Sequence, residues 1–235
     1  MLTKVDVFDT ERKRIHTMQR HPILDAIGRA VNAESPTAAS VFPFAWKLEP
    51  FVVAFHYYNA TFLPTVFNGD SRLHQAIQGH AKEDAQHMTW YYQDLEALGQ
   101  APRPHAVNCL QARVIPTLEK LLSQFVSAGQ PLACLAVIEA VEETGVVFFR
   151  ACADAANAIG ARTLRYFAQL HFDNETGSML GEHEGYGLPD YFDEHQPGES
   201  ECKAAIGAIE AVFDLFTELL DDLARGFPAG EKADA

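Results

Sequence analysis

Cysteine is scarce and scattered in this chain: the four are Cys109, Cys134, Cys152 and Cys202, and no two of them form a C-x-x-C pair. That spacing excludes the usual structural zinc site and offers no disulfide framework, so a reducing cytoplasm is the expected compartment. Basic residues are also in short supply, with 18 Lys and Arg against 32 Asp and Glu and a formal net charge of -14. Beyond the short "ERKR" at 11 to 14 there is no stripe that would hold phosphates, and nucleic acid is not an expected partner. Long apolar runs are missing too. The longest, "PLACLAVIEAV" at 131 to 141, is too short to span a bilayer and contains Glu139. No basic n-region followed by an apolar stretch opens the chain, so a soluble protein without a membrane partner is expected.

Period-two strand patterns are absent as well, and what remains is helical. A chain of 235 residues that is 48% hydrophobic can bury one substantial core. The expected fold class is all-α, a single-domain bundle of about seven helices over 20–226, preceded by a polar leader at 1–19 and followed by a disordered tail at 227–235. "HPILDAIGRAVNAE" is the first helix, halted before Pro36, and the aromatic-rich stretch from Phe42 is a second, bent near Pro50 and Pro64 and ended by Asn68-Gly69. Asp70 or Ser71 caps a third helix that runs to Gly99. Further helices are expected at about 105–127, 131–160 and 161–183, then a loop at 185–198 and a last helix capped by Ser200.

The third helix contains "HAKEDAQHMTWYY". At 100° per residue, His80, Glu83 and His87 fall within roughly 60° of one another on the helical wheel. In the apolar 131–160 helix Glu139 and Glu142 are one turn apart, and in the next helix His171 and Glu175 share a face with Ser178. Any one of these groups alone reads as a hydrogen-bonded core residue or a solvated ion pair. Three helices that send imidazoles and carboxylates to one interior are better accounted for by one metal site, with iron, manganese or zinc as suitable ions. "LACLAVI" makes the turn before Glu139 wholly apolar, whereas Glu142 precedes Glu143, Thr144 and Gly145. On dryness, Glu139 is the favoured ligand, and Glu142 a second ligand or a partner to an imidazole.

The order of these groups departs from the ferritin-like pattern of two Glu-x-x-His pairs and two single glutamates. The stretches "HAKEDAQHMTWYYQDLEALG", "PLACLAVIEAVEETG" and "LRYFAQLHFDNETG" together resemble the haem-oxygenase-like superfamily, over about residues 40 to 225. That superfamily includes thiaminase II, pyrroloquinoline quinone synthase and the haem-oxygenase-like di-iron oxidases and oxygenases. In the di-iron branch the resemblance implies a carboxylate and a histidine seven residues apart, a later glutamate, and a His-x-x-x-Asp-x-x-His set. These become His80 and His87, Glu139 or Glu142, and His171, Glu175 and Ser178. His80 stands where a carboxylate is implied, with Glu83 a turn away as substitute. Ser178 stands where a histidine is implied, with Glu182 or His183 as replacements.

The resemblance implies Fe(II), one or two per chain, or manganese, and the oxidation of a small organic substrate by dioxygen, with homodimerisation left open. The aromatics of the second helix, Phe44, Trp46, Phe51, Phe55, Tyr57, Tyr58 and Phe62, are candidates for the substrate wall, although such a stripe is commonly core. A thiaminase II-like alternative uses Cys134 as nucleophile, in the first turn of its helix where the dipole would lower the thiol pKa. A non-catalytic helical binding protein is the third reading, should His80, His87 and His171 face solvent.

Overall fold

The computed structural model describes residues 2–84, 87–101, 109–178 and 186–227. They are all-α, and no strand occurs among the described residues. At the centre is α9 (Pro131–Ala158), and its 28 residues are apolar on nearly every side. It begins on Pro131, whose missing N–H costs nothing in a first turn, and ends before Gly160, where φ of +67° suits glycine. Such a helix must be covered all round, and α12 (Glu199–Ala224), α10 (Gln169–Ser178), α8 (Leu110–Ser127) and α2 (Pro22–Val31) pack against it. No helix among the described residues is long and apolar enough to cross a membrane.

The segment expected to be a polar leader is instead α1 (Lys4–Met18), which packs against α12 and α9. Its start is fixed by Asp6, whose carboxylate accepts from the Thr3 backbone N–H at 2.8 Å. The helix buries only a narrow stripe, Val7, Glu11 and Met18, so its pattern looks polar. The expected loop at 185–198 contains α11 (Leu188–Glu194), a short helix with Pro189 in its first turn and with Leu188 and Tyr191 buried. The tail expected at 227–235 lies outside the described residues from 228 onward.

The aromatic stretch is not one bent helix. After α3 (Ala38–Val41) come a 3-10 turn at Ala45–Leu48, α4 (Glu49–Tyr57), a π-helical turn at Tyr58–Phe62 and α5 (Leu63–Val66). Pro64 has no N–H for the carbonyl four residues back, and the Leu63 N–H bonds instead to the Tyr58 carbonyl, five residues back. The expected long third helix is likewise divided. Ser71 caps α6 (Arg72–Glu83), which stops with Asp84 as its C-cap, and α7 (His87–Ala97) follows. The motif therefore lies at a helix junction, not in the middle of a helix.

Candidate metal centre

His80 lies in the last turn of α6, with Asp84 four residues on at its cap, and Glu142 faces both from α9. All three are at most 2% exposed. His80 Nε2 lies 3.2 Å from Glu142 Oε1 and 3.4 Å from Asp84 Oδ2. One ligand atom from each residue can be chosen so that all three fall within 4.8 Å of one another. These separations exceed the roughly 2.7–2.9 Å of a charge-assisted N–H···O bond. They match the roughly 3.0–3.5 Å expected between neighbouring donors that share an ion at about 2.1 Å.

Two further groups support this cluster. Asn59, in the π-helical turn, donates from Nδ2 to Asp84 Oδ2 at 2.9 Å, which orients the carboxylate. His87 Nδ1 lies 3.5 Å from Asp84 Oδ1, so Asp84 stands between two imidazoles. A π turn projects successive side chains at an altered angle, and here it brings Asn59 to the junction of α6 and α7.

His171 arrives from a third direction. Asp94 of α7 accepts backbone N–H bonds from Arg165 at 2.7 Å and Phe167 at 2.9 Å, which pins the chain just before α10. The His171 ring then packs against His87, with centroids 4.2 Å apart, and against Phe149 at 3.9 Å. Its Nδ1 is 2.7 Å from the Tyr166 carbonyl, an acceptor, so Nδ1 carries the proton. Burial lowers the His171 pKa to about 4, and the neutral ring therefore has its lone pair on Nε2, the tautomer that suits a metal ligand.

Beside these groups is a cavity lined by His87, Glu142 and His171 together with Phe51, Phe55 and Phe148, among others. Its free space is about 50 Å³. Of the aromatics expected to form a wall, Phe51 and Phe55 do so, Phe44 and Tyr58 are buried in the core and Tyr57 is 63% exposed.

His80, His87, Glu142 and His171 are thus brought together. Glu139, the favoured ligand from sequence, is not part of the cluster: it accepts from the Leu188 N–H and faces Glu11, Glu143 and Asp190. Burial, and then the neighbouring Glu11, raise its pKa well above the carboxylate range. The surroundings of Glu139 are dry, but a proton and a backbone donor suit them as well as a metal does. Asp84 was missed although it stands inside the quoted motif, and the i, i+4 spacing from His80 is the signal that would have found it. The Glu83 and Glu175 side chains, the Ser178 side chain, and Glu182 and His183 lie outside the described residues.

Cys134 is in the first turn of α9 as expected, but burial drives its thiol up to about 12, against the smaller lowering effect of its own backbone N–H. A thiolate nucleophile is therefore not favoured. No family model matches the chain, and none of the curated proteins matches it.

Proposed function

We propose that the protein is a non-haem iron oxidase or oxygenase of the haem-oxygenase-like di-iron kind, in which His80, Asp84 and Glu142 form the centre of a buried Fe(II) site. His87 and His171, which lie beside this group, would complete it or hold a second ion. The observation that carries this reading is one imidazole and two carboxylates, all buried, whose ligand atoms lie within 4.8 Å of one another, a spacing that a single ion can span. Imidazole with carboxylates and no thiolate is a donor set for iron or manganese. Fe(II) held there would supply the electrons and open positions that dioxygen chemistry requires.

The chain's own groups have separate tasks. Asp84 and Glu142 offset the ion's charge, and the Asn59 amide keeps the Asp84 oxygens directed inward. The Tyr166 carbonyl holds the His171 proton on Nδ1, the tautomer whose Nε2 lone pair suits a metal. Phe51, Phe55, Phe148 and Phe149 keep bulk water from the cavity beside Glu142, so that reactive species meet substrate before solvent.

Protein loaded anaerobically with Fe(II) and then given dioxygen tests the reaction class. Oxygen uptake faster than that of free Fe(II), abolished by chelator and by Glu142→Gln but kept by Cys134→Ser, is expected. Uptake no faster than that of free iron, or dependent on Cys134, contradicts the proposal.

A further inference from the structure

The cavity beside Glu142 and His87 is small, and most of its wall is apolar. Phe51, Phe55, Phe148 and Phe216 contribute rings, and Leu219 and Leu220 of α12 add aliphatic surface. Its free space of about 50 Å³ exceeds the roughly 10–15 Å³ that one water needs, and is about a third of the ~150 Å³ apolar cavity in which a benzene lies. A molecule of two or three heavy atoms is therefore the largest that fits without moving a wall.

The polar side chains of the lining already have partners. The Thr144 hydroxyl donates to the Val141 carbonyl at 2.7 Å, and His171 Nδ1 donates to the Tyr166 carbonyl at 2.7 Å. Glu142 Oε1 lies 3.2 Å from His80 Nε2, and His87 Nδ1 lies 3.5 Å from Asp84 Oδ1. A buried water is held by two to four polar groups, which this wall has little means to supply, whereas dispersion contact with rings and leucines needs none.

We infer that this is a dry gas cavity, which holds one small nonpolar molecule, dioxygen, beside Glu142, His87 and His171. Water is too polar for the wall and a ring too large for the space, which leaves dioxygen the reactant matched in both respects. The use made of the dioxygen rests on the metal-centre reading above; the capacity to hold it does not.

Dioxygen is paramagnetic and speeds the relaxation of protons close to it, so methyl relaxation in the metal-free full chain under oxygen pressure maps its place. The methyls of Val141, Leu219, Leu220 and Leu223 line the cavity, and those of Ile23 and Ile209 are at least as deeply buried but lie outside it. The lining methyls are expected to gain at least about tenfold more relaxation than the other two. Leu219→Phe, or Leu220→Phe if the first variant does not fold, fills the space and should bring the remaining lining methyls down to the level of Ile23 and Ile209. In Fe(II)-loaded protein the same variant should raise the oxygen concentration for half-maximal uptake about tenfold at equal iron content. Enhancement no greater than at Ile23 and Ile209, enhancement undiminished in the folded filled variant, or an unchanged oxygen dependence would overturn the inference. Enhanced relaxation in a protein that retains no iron supports the cavity and overturns the metal reading.

Discussion

Glu139 and Glu142 show how far a single residue's fate can be read from its neighbours. Both were expected to face the interior, since three residues separate them by about 60° on the helix wheel. The apolar run before Glu139 reports how dry its turn is, but not which helix lies opposite, and α11 with its Leu188 N–H lies there, not an imidazole. A raised pKa keeps Glu139 protonated, so Glu139→Gln replaces one neutral group with another of the same shape and should leave thermal stability within about 1 kcal/mol and metal binding intact. Asn59→Leu removes the amide that orients Asp84 and should weaken Fe(II) about 10- to 100-fold, measured by competition with a chelator, without loss of helicity. Cys134 is 2% exposed with its thiol driven up to about 12, so native protein should alkylate there only when unfolded; fast labelling at neutral pH contradicts that placement.

Among the elements, α9 and α12 were legible because their buried faces are wide, and α2 because Ile23, Ala26 and Ile27 recur at helical spacing within ten residues. α1 was not, because its three buried residues are spread over fifteen positions and one of them is Glu11, which leaves little hydrophobic period to read. The π turn was also hidden: two prolines suggest a bend, but only the packing of Tyr58 and Asn59 selects a wider turn over a kink. α1 has a consequence for pH. Burial, and secondarily Glu143, raise the Glu11 pKa from 4.5 to about 7. A carboxyl with a raised folded pKa holds more protons in the native state than in the unfolded one, so stability is highest below about 4.5 and falls as pH rises to about 7. One such group corresponds to about 3 kcal/mol across that window. Glu11→Gln should flatten this decline in denaturant titrations between pH 4.5 and 7. An unchanged slope would show that Glu11 is not desolvated against α9.

For the molecule as a whole, the apolar core among the described residues surrounds the His80, Asp84 and Glu142 cluster. Phe167 is fully buried and stacks on Phe42 with centroids 5.4 Å apart, close to the chain segment that Asp94 pins ahead of His171. Phe167→Ala should therefore cost about 3–5 kcal/mol of stability and also loosen His171. The all-α class was legible from periodicity, and the meeting of three chain segments at one site from the three helices that each carry chemistry. Which side chains make up the cluster was not, since that depends on rotation of α9 and on the end of α6 at Asp84, both set by packing. If His80, Asp84 and Glu142 bind an ion in the native state alone, that ion must be retained stoichiometrically and stabilise the fold. The most direct measurement is iron content after anaerobic Fe(II) loading and desalting, for the native protein, for Glu139→Gln and for the double variant Asp84→Asn, Glu142→Gln. About one to two irons per chain are predicted in the first two and essentially none in the third; iron retained at the native level by the folded double variant would contradict the account.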